Sequence, residues 1–500
     1  MAIYQILTRD GVVDPGQEEL LAQLASDLKK PNAKLLLHLH GGLNDEASAK
    51  VTATRLSGSG PNSWGLDSEW TQIYVIWRTG VLETLQTNWL ELVNKDQFYQ
   101  TVMRKLIAFL ARKLGGSVAV GRGGAAVAIS EAEIQRRLLG QAGAWPFDDL
   151  DSILPSNDQA GARSVTLGAQ TDSSLAAEFK SELAADNSFK NIAADIDEAV
   201  NVPSGARAAS AGANGEAGRE ILNRFDEAIQ LELAPPPVIP GQQRGLVSVA
   251  AFLLKHAAKV ALRCFKRFES GRDHGFHATV VEEVCREFYG DLIGAGIWGL
   301  MVQDTADHFG EGKFGSLLID CLAERGVSRF AITAHSAGSI WASHLLINMK
   351  AKEINGKVGL FLLAPAVRRD FFSTMLNNAG DLISHCRMIT MTDAFERKDP
   401  VLGSNMSYIY PSSLLYLVSG LFEKVSGAAY VDAPLLGMQR FVGLEGLTKD
   451  EKAIESQIAE FFQKPDCRIL TSPTEGVSMA NSHGGFDDEA YTLATARALF

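Results

Sequence analysis

Residues 327–349, VSRFAITAHSAGSIWASHLLINM, decide the fold. A short apolar run, Phe330-Ala331-Ile332, breaks at Ala334-His335-Ser336-Ala337-Gly338, after which apolar residues return at helical spacing. The pattern predicts strand, sharp turn and helix, with a hydroxyl at the turn. Ala334 and Gly338, two before and two after the serine, are small enough for the chain to turn without collision. A serine held clear of its own backbone, beside a base and near preformed N–H donors, can attack a carbonyl. The alternative role for Ser336 is that of a helix N-cap. The five-residue pattern recurs by chance, and Ala208-Ala209-Ser210-Ala211-Gly212 repeats it. No β-branched or aromatic run precedes Ser210, so context favours Ser336.

Working outward, residues 33–40 (AKLLLHLH) and 72–78 (QIYVIWR) are compact apolar runs ending close to Gly41-Gly42 and Gly80. Both have the composition of buried parallel strands, and helical patterns follow at 47–55 and 83–114. Further strand-like runs occupy 328–333, 357–363, 387–392 and 467–471. This alternation predicts an α/β protein with a doubly wound, mostly parallel sheet, whose ligand site lies at the carboxyl ends of the strands.

Residues 79–327 are far too long for one connection in such a sheet, so an insertion is expected there. Residues 115–124 and 204–218 are Gly/Ala-rich, and 233–245 carry Pro235, Pro236, Pro237 and Pro240, the composition of mobile or extended spacers. Helical pieces lie between them at 130–139 and 173–183, and apolar helices resume at 246–268, 278–293 and 313–325. The expected organisation is residues 1–114 as the first part of the core, 115–245 as a largely helical cap, and 246–500 as helices and the rest of the core.

The 47 basic and 59 acidic residues give a net charge of −12, which argues against a nucleic-acid partner. Five scattered cysteines, Cys264, Cys285, Cys321, Cys386 and Cys467, show no CxxC and no zinc spacing, so neither a metal site nor a disulfide framework is expected. The start of the chain lacks the basic and apolar regions of a signal peptide, and a cytoplasmic location is the simplest expectation. Residues 246–268 tempt a membrane-span assignment, but Lys255, His256, Lys259, Arg263, Lys266 and Arg267 are too many charges for a bilayer core. Their spacing forms a basic stripe that would suit peripheral contact with an anionic membrane. A solvated face on a packed helix is the plainer and favoured alternative.

Three further stretches could complete a site around Ser336. His40-Gly41-Gly42-Leu43-Asn44 follows the first central strand, and glycines there allow backbone N–H groups to approach a substrate oxygen. A tight turn before a helix is the alternative. Asn481-Ser482-His483-Gly484-Gly485-Phe486-Asp487 follows the last strand, and its histidine could swing toward the serine as a neutral base. Between them, the loop after residues 387–392 offers Asp393, Glu396 and Asp399 as the carboxylate that would orient the imidazole. His335, beside the nucleophile in sequence, points the wrong way to act as its base.

Taken together, these stretches resemble the α/β-hydrolase superfamily, of the lipase and esterase kind. The likeness covers residues 30–115 and 325–500 and leaves the insertion unaccounted for. The resemblance implies an oxyanion hole built from the N–H groups of Ala337 and either Gly42 or Leu43. It implies a triad of Ser336, His483 and an acid, with Asp399, in an Asp-Pro-Val turn, slightly favoured over Asp393. Two departures stand out: Ala334 replaces the commoner glycine, and the long insertion precedes the elbow strand. The implied activity is a serine hydrolase that cleaves esters of lipids or other small apolar acyl compounds through an acyl-enzyme, without cofactor or metal. Amide or thioester cleavage on the same triad, or an inactive interaction or sensor protein, are the rival expectations.

Overall fold

Eight strands form one sheet in the order β2-β1-β4-β3-β5-β6-β7-β8 in a computed structural model of the chain. The structure describes residues 2–30, 32–42, 45–77, 82–122, 129–154, 172–201, 213–234, 248–324, 327–354, 356–423, 432–443 and 447–500. The strands are β1 (Ala2–Arg9), β2 (Val12–Val13), β3 (Lys34–Leu39), β4 (Trp70–Trp77), β5 (Arg329–His335), β6 (Val358–Leu363), β7 (Ile383–Met391) and β8 (Cys467–Ser472). All pair in parallel except β1 with the short edge strand β2. Residues in β3, β4, β5 and β6 are buried almost throughout, because helices cover both faces and leave no side for polar residues.

Strand order sets the position of the site. From β3 the chain moves outward to β4, then returns across β3 to start β5 and continues outward through β6, β7 and β8. The connections therefore diverge between β3 and β5, and the carboxyl ends of those two strands are where an open α/β sheet of this order takes its ligand. The register pairs Leu39 with Ala334, which sets the Gly41-Gly42 turn beside Ser336.

The described residues of the insertion are largely helical, and a helix crosses its expected first boundary at residue 115. The helical stretch expected at 83–114 is two helices, Leu82–Lys95 and Gln97–Arg122, broken at Asp96, whose carboxylate accepts the Tyr99 N–H at 2.8 Å as a cap. Residue 115 falls inside the second helix, which runs through the supposed spacer to Arg122. A helix already nucleated by an amphipathic stretch propagates readily, and glycines within it lower its stability without ending it. Expected spacers at 204–218 and 233–245 lie mostly outside the described residues.

Helices beyond 245 share a core with the insertion. Phe98 packs against Phe225 and Phe288 with ring centroids 5.2 and 5.0 Å apart, and against Phe189 at 6.5 Å. Val249–Ser270 and Phe276–Phe288 thus belong to the same helical layer as Asn187–Asn201 and Ala213–Arg224.

The basic stripe on Val249–Ser270 meets carboxylates. Lys259 and Arg263 reach Glu287 at 3.2 and 2.6 Å, Lys266 reaches Asp172 at 2.7 Å, and the buried Arg267 reaches Glu282 and Glu283 at 2.7 and 3.0 Å. A helix buried on most of its surface can carry these charges because each has a partner. Among the described residues, no helix is long and apolar enough to cross a membrane.

Candidate functional site

The turn between β5 and the helix Gly338–Ala351 holds Ser336 at φ +50°, a left-handed conformation that L-residues rarely adopt. Its backbone is fully occupied. The Ser336 N–H donates to Leu363 O at 2.9 Å, and its carbonyl accepts the N–H groups of Ser339 and Ala366 at 3.0 Å each and the Ser339 hydroxyl at 2.6 Å. Gly338 makes this packing possible, since a Cβ there would stand 2.5 Å from the Leu39 carbonyl oxygen. The Ser336 hydroxyl is 1% exposed as a residue, and its Oγ has no hydrogen-bond partner.

Glycines 41 and 42 lie directly across from the turn. A Cβ on Gly41 would come within 3.2 Å of Ser336 Cβ, and one on Gly42 within 3.4 Å of Ala337 Cβ. Gly41 therefore packs tightly against the elbow, while Gly42 lies at ordinary contact distance from it. His40 fixes the approach. It stacks on Trp77 with centroids 4.3 Å apart, its Nδ1 faces Gly41 O at 2.6 Å, and its Nε2 accepts the Trp77 N–H at 3.3 Å. Burial pushes its pKa down to about 4, so the ring stays neutral with its proton on Nδ1. Leu43, the other candidate N–H donor, lies outside the described residues.

The loop after β8 brings His483 to the same end of the sheet. Its ring centroid is 5.2 Å from that of His335, the residue before Ser336. The His483 N–H donates to Asp399 Oδ2 at 2.6 Å, and His335 Nε2 donates to the His483 carbonyl at 3.0 Å. Both His483 ring nitrogens are buried without a hydrogen-bond partner, as is Ser336 Oγ. Burial, with a smaller push from His335, holds the His483 imidazole well below its ordinary pKa, and Asp487 opposes the shift. The ring is therefore neutral at pH 7.

The three acids of the loop after β7 are used differently. Asp399 contacts the His483 backbone, and burial lifts its carboxyl, offset by that N–H. Asp393 is turned to Arg397 at 2.8 Å, to the Tyr416 hydroxyl and to Arg440 at 3.8 Å. Burial would lift its carboxyl, but Arg440 and Arg397 outweigh burial and hold it below the usual range. Glu396 bonds the Ser413 hydroxyl and is pushed well up by burial. No hydrogen bond joins any of the three to the His483 ring.

Two elements of the site escaped sequence inspection. The helix Ala295–Asp307 covers the glycine turn, where a Cβ on Gly42 would meet Met301 Cε at 2.8 Å, while Leu300 on the same helix is 72% exposed. Its apolar run IWGLMV was the available signal. Asp487, four residues past His483, places Oδ2 3.4 Å from His335 Nδ1 and Oδ1 3.5 Å from Arg55. Only its nearness to His483 in sequence hinted at a role.

Among the described residues, no group of three or more His, Cys, Asp or Glu side chains is arranged to hold a metal ion. The chain matches no protein-family model, no curated protein and no solved structure.

Proposed function

We propose that the chain is a serine hydrolase of the α/β-hydrolase kind, acting on carboxylic esters with an apolar acyl group. The observation that carries this is the conformation of Ser336: φ +50° at a strand-to-helix turn, every backbone group satisfied, and a buried Oγ with no partner. Strain at a hydroxyl that does nothing for the fold is the mark of a group kept for chemistry. The order of the supporting residues agrees with the superfamily: Gly42 after β3, Ser336 after β5, Asp399 after β7 and His483 after β8.

In the proposed reaction, Ser336 Oγ attacks the ester carbonyl carbon while neutral His483 takes the hydroxyl proton. The N–H groups of Ala337 and Gly42 receive the developing oxyanion. His483 returns the proton to the departing alcohol, leaving the acyl group on Ser336. Water, deprotonated by the same imidazole, then releases the acid. Asp399 is the favoured orienting carboxylate because it already touches His483 and Asp393 is occupied by Arg397, Tyr416 and Arg440. The same apparatus would serve thioesters or amides, and p-nitrophenyl esters of graded chain length set against acyl-CoA and peptide panels separate these substrates.

An inactive interaction protein on the same framework is the second reading, favoured by the unformed hydrogen bond at Ser336 and His483. A fluorophosphonate probe decides between them. The active reading expects labelling that is lost in Ser336→Ala and kept in Ser210→Ala; an unlabelled wild-type chain sinks it.

A further inference from the structure

His483 is held by its backbone, not by its ring. Its N–H donates to Asp399 Oδ2 at 2.6 Å and its carbonyl accepts from His335 Nε2 at 3.0 Å, so the peptide groups on both sides are fixed by side chains from the loop after β7 and from the end of β5. One of those side chains belongs to the residue before Ser336. The separation of nucleophile and base is thereby referred to a single dipeptide, His335-Ser336, at the end of β5.

His335 is itself held. A carbonyl oxygen can only accept, so Nε2 must carry a proton. On its other side Nδ1 lies 3.4 Å from Asp487 Oδ2, within ion-pair range but without a hydrogen bond, so this contact holds the ring when Nδ1 also carries a proton. Burial would lift the Asp487 carboxyl, but His335, His38 and Arg55 outweigh it and keep the group below the usual carboxylate range, so it is ionised at neutral pH. Arg55, on the helix Glu46–Leu56, fixes Asp487 in turn, donating to its carbonyl at 2.7 Å and lying 3.5 Å from Oδ1. The chain of contacts runs Arg55, Asp487, His335, His483, and all but Arg55 are buried.

We infer that His335 and Asp487 are positioning residues: they set the place of the His483 imidazole relative to Ser336 by holding the His483 carbonyl. This rests on the serine-hydrolase reading of Ser336 and His483. The design suits a base on a loop with two glycines behind it, Gly484-Gly485, which leave the backbone free to drift unless side chains hold it. A displacement of about 1 Å at the reacting groups lowers rate by about 10²-fold.

The test compares His335→Gln, whose amide can still donate to the His483 carbonyl, with His335→Phe, which keeps the ring but has no donor. In the full-length protein, fluorophosphonate labelling should be about 10²-fold slower in H335F and within a few-fold of wild type in H335Q. With a p-nitrophenyl ester, the loss should fall on kcat with KM little changed. Asp487→Asn should also slow labelling; an unchanged rate removes Asp487 from the device. Equal losses in H335Q and H335F, or wild-type labelling in H335F, overturn the inference. Hydrogen exchange of the peptide containing His483 gives a readout that needs no activity, and H335F should lose protection there while H335Q keeps it. If the wild-type chain takes no label, the hydrolase reading fails, and unchanged protection in H335F overturns the clamp separately.

Discussion

Replacing Gly338 by alanine sets two effects against each other. Gly338 opens the helix Gly338–Ala351, where alanine by itself would stabilise by up to about 1 kcal/mol. The new Cβ, however, would stand 2.5 Å from the Leu39 carbonyl oxygen and 2.9 Å from both Leu39 C and Leu39 Cβ, against an ordinary contact of 3.4 Å or more. No rotamer relieves this, because the atoms on both sides are fixed by the backbone, so β3 and the elbow must separate by nearly 1 Å. Overpacking of this kind costs about 1–3 kcal/mol, and a backbone clash lies at the upper end, leaving a net loss of about 2 kcal/mol. At about 2.1 cal/mol/K per residue the unfolding entropy of a 500-residue chain is about 1 kcal/mol/K, so Tm should fall by about 2 °C. Calorimetry can read that shift. Gly299→Ala is the control, since it sits in the helix Ala295–Asp307 with open space at its Cβ, and its Tm should rise by up to about 1 °C. The same separation moves the Gly41-Gly42 turn from Ser336, so fluorophosphonate labelling of Gly338→Ala should be about 10²-fold slower. A Gly338→Ala protein that melts no lower than wild type and labels at the same rate would refute the packing argument.

Asp399→Asn should lower the rate of ester hydrolysis by about 10⁴-fold. Asp393→Asn should retain most of that rate while losing about 1.5–3 kcal/mol of stability, because it leaves Arg440 and Arg397 short of a partner; reversed roles in a rate assay would exchange the two acids. His40 stays neutral in the fold, its pKa pushed down to about 4 from 6.5, while the unfolded chain takes up a proton as pH falls below 6.5. Its contribution is thus present above pH 6.5 and lost progressively toward pH 4, about 3 kcal/mol in all, and urea titrations at pH 7 and pH 4.5 should show a smaller difference in His40→Gln than in wild type. With Lys259, Arg263, Lys266 and Arg267 already paired to carboxylates, flotation with anionic vesicles at about 0.1 M salt should recover no bound protein, and salt-sensitive binding would restore the peripheral-membrane alternative.

Much of the framework was legible because it is written in local patterns. The apolar runs at 33–40, 72–78 and 357–363 correspond to β3, β4 and β6, since a parallel strand buried on both faces has no polar alternation to obscure it. The limits of the helical insertion were not legible. Glycine and alanine content suggested a spacer at 115–124, whereas the helix Gln97–Arg122 runs into it as far as Arg122, and the rings of Phe98, Phe225 and Phe288 meet only in three dimensions.

For the site, the sequence by itself singled out Ser336 and separated it from Ser210, because a strand-turn-helix signal is carried by neighbouring residues. It also assigned His483 to the loop after the last strand. The sequence favoured Asp399 over Asp393 only slightly, through its Asp-Pro-Val turn, and it is the tertiary contacts of Asp393 with Arg397, Tyr416 and Arg440 that draw that acid away while Asp399 meets the His483 N–H. The covering of Gly42 by Met301 and the contacts of His335 with the His483 carbonyl and with Asp487 belong to the same class. Each joins residues far apart along the chain or on separate elements, and a contact of that kind leaves no periodicity, spacing or composition for the linear sequence to display.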